Sequence, residues 1–412
     1  PPMSDQPKTP ASKSEHLGLV KAWSAQNYKP IEVVLARGEG VWVWDTDGKR
    51  YLDCLAAYSA VNQGHCHPRI IKVLQEQAAQ LTLTSRAFHN DLLGEYEKFM
   101  TGLFGFDKLL PMNTGVEAVE TAIKLARRWG YAVKGIPNDQ ARVVVCAHNF
   151  HGRTSTVISF STDPSSCDRF GPKMPGFDII PYNDLPALEK ALRDPHVAGF
   201  LVEPIQGEAG VVVPDDGYLS RARQYCSDAR VLFIADEIQT GLGRTGRMLA
   251  CDHEHVRPDI LILGKALSGG TLPVSAVLAD DEVMMQIHPG EHGSTYGGNP
   301  LACRVAIESM KVLLEENMIG NAEVMGKRLR EGLTELQSPH IALVRGKGLL
   351  NAIVIKHSDP EAARKLCLDL KDLGMLAKPT HGDKIRLAPP LLISDAQVDE
   401  AIGMLAQALE RL

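Results

Sequence analysis

The chain reads as an α/β protein, with a mostly parallel sheet covered by helices in a large domain, plus a smaller α+β domain. Three observations predict this. Short, uninterrupted aliphatic runs recur through the middle of the 412 residues: RVVVCA (142–147), GFLVEP (199–204), VLFIAD (231–236), ILIL (260–263) and VSAVLA (274–279). Such runs suit strands buried on both faces. Helix-patterned segments, LPALEKALRD (185–194) and LSRARQYCSDA (219–229), fall between them as crossover helices would. Beyond residue 300 the texture changes to long helical periods, then alternating strand patterns, then a closing helix, which sets off a smaller domain.

Taken in order, residues 1–14 (PPMSDQPKTPASKS) have no aromatic and no large aliphatic except Met3, and are expected as a flexible tail. Residues 15–70 are expected to form an N-terminal segment belonging to the small domain. Within it GVWVWDTDGKRYLD (40–53) alternates Val and Trp, turns at Asp47-Gly48 and returns, the pattern of a hairpin. Residues 71–300 are expected as the large domain. Its stretch MNTGVEAVETAIKLARRWG (112–130) predicts a helix. Thr114 and Glu117 make a capping box, Val116, Val119, Ile123 and Ala126 trace one face, and Lys124, Arg127 and Arg128 sit near the C-terminal end. Residues 301–412 are expected as the small C-terminal domain, with helical periods at 301–317, 322–337 and 395–412.

Composition narrows the function classes. Hydrophobic content of 44% and charged content of 23% are those of an ordinary globular protein. A formal charge of −6 argues against a sequence-independent nucleic-acid binder or an anionic-membrane binder. No apolar run approaches the ~20 residues that span a bilayer. The eight cysteines are scattered without a CxxC pair, which suits a reducing compartment. The cytoplasm is expected, with the mitochondrial matrix after presequence removal as the alternative. HCH (65–67) and CDHEH (251–255) lack a second half at structural-zinc spacing, so no metal is expected.

Ligands of open α/β sheets bind beyond the C-terminal ends of the strands. Those ends carry Asp236 and Glu237, Glu203 with Glu208 just beyond, and Lys265. An ammonium group at the edge of a buried strand loses hydration, so its pKa falls or a partner neutralises it. Mutual pairing of these strand-end charges is the alternative to a reactive crevice. Gly115 leaves the first helical turn at 115 open to a phosphate, although a plain capped surface helix reads the same way. GLGRTG (241–246) satisfies G-x-G-x-x-G, but five residues separate it from its strand and no apolar helix follows. The context for a nicotinamide site is missing.

Together IADEIQTGLGRTG, LGKALSGG, GSTYGGNPLAC, PMNTGVEAVETA and NFHGRT resemble the class III aminotransferases, pyridoxal-phosphate enzymes of fold type I. SAVNQGHCHP, TLTSRAFHNDLLGEYE, VRGKGLLNAIVI and AKPTHGDKIRLAPPL narrow the resemblance to the ornithine-acting members of that family. It covers nearly everything from Tyr28 onward. The resemblance implies pyridoxal 5'-phosphate held covalently by Lys265. Asp236 would meet the pyridine nitrogen, Gln239 the phenolic oxygen and Phe150 the ring face. Gly115 and Val116 would offer amides to the phosphate, with Thr295 reaching in from a partner subunit of a homodimer or larger homo-oligomer with shared active sites. It further implies a substrate pocket of Tyr28, Tyr58, Arg153, Glu208 and Arg386, taking L-ornithine and 2-oxoglutarate. Acetylornithine or 4-aminobutyrate are the alternative substrates. Tyr28 and Tyr58, read without the resemblance, are packing aromatics. Position 151 departs from the pattern: animal members carry Trp where this chain has His151. Intact Lys265 and Asp236 argue against a catalytically silent binding protein.

Overall fold

The computed structural model describes residues 11–412. Residues 1–10 of the expected tail lie outside the described residues. At its far end Ser12 and Glu15 form a reciprocal capping box that starts a helix at Lys13–Trp23, so the last tail positions open a helix instead.

Strands β1 (Leu35–Glu39), β2 (Trp42–Asp45) and β3 (Arg50–Asp53) form an antiparallel ladder. The β2–β3 turn closes because Asp45 Oδ1 accepts from the Asp47 and Lys49 amides while Gly48 takes φ 84°. The hairpin expected over 40–53 is thus present around its Asp-Gly pair.

The main sheet contains β4 (Lys108–Met112), β5 (Arg142–Cys146), β6 (Phe177–Ile180), β7 (Val197–Val202), β8 (Leu232–Asp236), β9 (Ile260–Leu263) and β10 (Ser275–Ala279). Their order is β4-β10-β9-β8-β7-β5-β6. Strands β6, β5, β7, β8 and β9 run parallel, and β10 is antiparallel to both neighbours. Both faces are covered. Leu201 and Ile234 pack toward the helix Gly115–Trp129, whereas Phe200 and Phe233 pack toward helices Leu185–Ala191 and Tyr218–Ala229. Alternate residues therefore bury on opposite sides, each large side chain contributing about 1.5–3 kcal/mol, which is why these strands are apolar throughout. The edge strands β4 and β6 escaped the aliphatic-run pattern because one contains Pro111 and the other Asp178.

The C-terminal third adds β11 (Ile341–Lys347), β12 (Leu350–Ile355), β13 (Met375–Leu376), β14 (Lys378–Thr380) and β15 (Lys384–Leu387). Four of these pair antiparallel in the order β11-β12-β15-β14, while β13 pairs parallel with β3 and joins the N-terminal hairpin to the C-terminal segment. Helices Pro300–Glu315, Met318–Glu335 and Asp395–Leu409 answer the three helical periods.

GLGRTG is a chain of turns, with Leu242, Gly243 and Gly246 all at positive φ, followed only by a short 3₁₀ turn at Ala250–Glu254. Its Arg244 is fully buried and donates to Leu349 O, Pro389 O and Asn62 Oδ1 at 2.9, 2.6 and 2.7 Å. The motif ties the loop after β8 to the C-terminal strands. His65 and His67 separate, to Asp53 and Glu316 respectively, each at 2.7 Å. Among the described residues no cluster of three or more metal-ligating side chains gathers, and no helix is long and apolar enough to cross a membrane.

Candidate active site

The ends of β7, β8 and β9 open onto a cleft of ≈ 250 Å³. Six of the seven residues to which the resemblance gives a cofactor role line it: Gly115, Val116, Phe150, Asp236, Gln239 and Lys265. The parallel register places Asp236 and Lys265 on adjacent strand ends, since Asp236 pairs with Ile262. Thr114 and Glu117 cap the helix as the sequence predicts. Gly115 and Val116 occupy its first turn, whose amides have no partner within the helix. Gly152 lets the opposite wall come close. Its φ is 122°, and a Cβ there would lie 2.4 Å from Val116 Cγ2.

Lys265 Nζ donates to the Tyr58 carbonyl at 2.9 Å. With its amide oriented to satisfy its neighbours, the Gln239 oxygen accepts from Arg386 Nη2 at 2.8 Å and from Lys265 Nζ at 3.2 Å. Burial, with the Arg386 charge nearby, lowers the Lys265 pKa to about 8, while Glu208 and Asp236 pull the other way. The free amine is therefore accessible near neutral pH.

Tyr58 is presented by an uncommon backbone. Ala56, Ala57, Tyr58 and Ser59 take φ of 49°, 50°, 59° and 71°, a single left-handed turn built without glycine. The Tyr58 hydroxyl accepts from Lys378 Nζ at 2.7 Å. Lys265, Lys378 and Arg386 surround its ring at 5.5, 5.1 and 5.5 Å from the centroid.

Arg386, on β15, is paired with Glu208 through Nη1–Oε1 at 2.6 Å. Burial pushes the Glu208 carboxyl up, but Arg386, Lys265 and the hydrogen bond outweigh it and hold the group below the usual carboxylate range. Arg153 is exposed, donates weakly to Ser166 Oγ at 3.4 Å and lies 5.7 Å from the Phe150 ring centroid. Tyr28 is 71% exposed, and neither it nor the exposed Thr295 lines the cleft within this chain.

Sequence reasoning named two further participants, His151 and Glu203, without assigning them a contact, and missed a third, Lys378. His151 Nδ1 binds Asp236 Oδ2 at 2.6 Å. Glu203, noted only as a strand-end charge, lines the cleft and accepts from Phe150 N at 3.0 Å. Burial, and then Asp236 beside it, drive its carboxyl pKa far upward. Lys378 was not singled out. Only its place in the segment with Arg386 could have pointed to it.

Known proteins resemble this chain along nearly its whole length. The family model "Aminotransferase class-III" matches residues 23–409. Rat mitochondrial ornithine aminotransferase is 61% identical over 94% of this chain and 88% of its own. The ornithine aminotransferase structure from Toxoplasma gondii superposes with a TM-score of 0.95 at 48% identity, over 97% of this chain and 96% of that one. The acetylornithine aminotransferase structure from Elizabethkingia anophelis gives 0.90 at 51% identity, over 98% and 100%. The fold, the lysine-bearing cleft and these likenesses together establish that the chain belongs to the class III aminotransferases.

Proposed function

We propose that the chain is an ornithine δ-aminotransferase. It would transfer the δ-amino group of L-ornithine to 2-oxoglutarate, giving L-glutamate and glutamate 5-semialdehyde, which cyclises to pyrroline-5-carboxylate. The observation that carries this reading is the Glu208–Arg386 pair, which masks one carboxylate anchor beside Lys265.

Pyridoxal phosphate, the family's cofactor, supplies when bound an electron sink for the pair left on the substrate carbon as its proton departs. The cleft's donor set fits it: two helix N-terminal amides for a phosphate, an aromatic face at Phe150, a carboxylate at Asp236 and a partly deprotonated lysine. Gln239 would meet its phenolic oxygen, and Thr295 would come from the second subunit of a homodimer. Lys265, as the free amine, would be the base that takes the proton from the amine-bearing substrate carbon, holding it on Nζ for onward transfer and not giving it back to that carbon. Arg153 would clamp the ornithine α-carboxylate, with Tyr28 and Tyr58 bounding the pocket, so that the distal amine reaches Lys265. With ornithine bound, Glu208 keeps Arg386 occupied. With the keto acid bound, Glu208 would release Arg386 to its α-carboxylate, and Arg153 would take the other carboxylate.

The acetylornithine reading is favoured by one observation, the 51% identical Elizabethkingia relative. A single experiment separates the two. L-Ornithine added alone to the holoenzyme should discharge the long-wavelength cofactor absorbance and yield a trappable pyrroline. Discharge by N-acetylornithine or 4-aminobutyrate but not by ornithine would overturn the proposal. The mitochondrial name of the rat relative supports the matrix alternative over the expected cytoplasm. Fractionation of cells expressing the native gene would decide it.

A further inference from the structure

We infer that His151 is a positioning residue that orients the Asp236 carboxylate toward the cleft. The inference rests on the reading of Asp236 as the residue facing the cofactor's ring nitrogen. Both side chains are buried, His151 at 1% and Asp236 at 5% exposure, and they meet at 2.6 Å. Since a carboxylate oxygen only accepts, Nδ1 carries the hydrogen. Asp236 Oδ1 is engaged separately, by the Ile238 amide at 3.1 Å. One backbone donor and one imidazole donor thus hold the two oxygens from different sides, and rotation of the carboxyl would break both bonds.

The imidazole is itself fixed. Its ring stands edge-on to Phe160, with centroids 6.0 Å apart, and the next residue is Gly152, pressed against Val116. Its other nitrogen, Nε2, is buried without a partner among the described residues. Buried polar atoms without partners are rare, and here the cost is borne on the side away from Asp236. A ring placed only to fill volume would not need that nitrogen. An apolar side chain at 151 would avoid the orphaned atom and lose the donor to Asp236. The charged and titratable neighbours of the pair are Glu203, whose carboxyl is in turn held by Phe150 N, and Lys265. Residues 150 and 151 therefore each supply a donor to a different acid at the cleft floor.

The test compares wild-type holoenzyme with His151→Leu, which removes the donor, and His151→Asn, whose amide can replace Nδ1–H. His151→Leu should lower kcat of the ornithine half-reaction roughly 10- to 100-fold with KM nearly unchanged, the effect of losing a charge-assisted hydrogen bond. It should also release cofactor faster on dialysis, while His151→Asn recovers most of both properties. In ¹⁵N-histidine-labelled wild-type protein, one exchange-protected imidazole N–H should be present and should vanish in His151→Asn. Wild-type kcat and cofactor retention in His151→Leu would overturn the inference. So would equal loss in both variants at unchanged melting temperature, because volume alone would then matter. If the Leu variant does not fold, the Asn variant and the labelled spectrum decide. Asp236→Asn separates the two levels: if it is harmless, the functional reading of Asp236 fails. If it is harmful while His151→Leu is not, only the role of His151 fails.

Discussion

Glu208→Ala removes the group that masks Arg386, and its consequence can be worked from the geometry. The pair is bonded at 2.6 Å, with Arg386 2% exposed and Glu208 28% exposed at the cleft. At an effective dielectric near 20, opposite charges ~4 Å apart attract by about 4 kcal/mol. Water at the partly exposed carboxylate reduces this to about 1.5–3 kcal/mol, the range for hydrogen bonds to charged groups. That is the penalty a substrate α-carboxylate meets when it must displace Glu208 from Arg386. Removing it should raise kcat/KM for an α-amino donor such as L-glutamate, relative to L-ornithine, by roughly 10- to 100-fold. The assay is single-turnover discharge of the cofactor absorbance by each amino acid alone. The wild-type pair also has a defined pH window. Because the Glu208 carboxyl is held below its ordinary value, its contribution is fully present above that value and is lost as pH falls through the folded-state pKa. The stability gap between wild type and Glu208→Gln should therefore narrow only in acid. An ornithine-to-glutamate ratio within about twofold of wild type in Glu208→Ala would refute the masking argument.

Other perturbations test neighbouring parts of the site. Cofactor capture by apoprotein needs the neutral amine of Lys265, so its rate should rise with pH through about 8 and then level off; a flat profile from pH 6 to 10 would contradict this. The same depression means the unfolded chain binds the extra proton between about 8 and 10.5, so Lys265 costs apoprotein stability below that window. Lys265→Met should accordingly unfold at higher denaturant than wild-type apoprotein at pH 7. Lys378→Met, removing the donor to the Tyr58 hydroxyl, should weaken keto-acid KM about three- to tenfold, on the scale of one lost hydrogen bond, and spare cofactor binding. Arg244→Met should destabilise by about 3 kcal/mol or more in urea melts, because three buried acceptors lose their donor. Ala57→Gly should leave stability unchanged or raise it by up to about 1 kcal/mol, whereas Ala57→Val should lower it, as the left-handed φ of 50° requires.

How much of this was legible in the sequence depends on the range of the interaction involved. The strands β7, β8 and β9 announce themselves because burial on two faces forces every residue to be apolar, a local signal. The Thr114–Glu117 capping box spans four residues and is equally local. The acids and the lysine at strand ends were visible as residues, and the rule about carboxyl ends of parallel strands put them in one crevice. What could not be read is partnership across long separations. Nothing in NFHGRT says that His151 will meet Asp236, 85 positions later, or that Lys378 will reach Tyr58 across 320. The glycines of GLGRTG illustrate the converse failure. Their pattern matches a phosphate-binding loop, yet they serve turns that bury Arg244 against carbonyls flanking strands more than a hundred residues away.

The left-handed turn at Ala56–Ser59 lies furthest from sequence reach, and its reason is found only in the assembled site. Four non-glycine residues in that conformation cost roughly 1–2 kcal/mol each relative to a right-handed turn. Local propensity therefore opposes it, and tertiary contacts must hold it. Asp53 Oδ1 accepts from the Leu55 and Ala56 amides and pins its start, and Ala60 N returns to Ala56 O to close it. The strain delivers two groups to the cleft from one residue: the Tyr58 carbonyl to Lys265 Nζ, and the Tyr58 ring among three cations. A right-handed turn would aim carbonyl and ring elsewhere, leaving the lysine without its backbone acceptor. Strain at this turn and depression of the Lys265 pKa are thus two sides of one arrangement, in which burial keeps the amine reactive and a carbonyl held at an energetic cost keeps it in place.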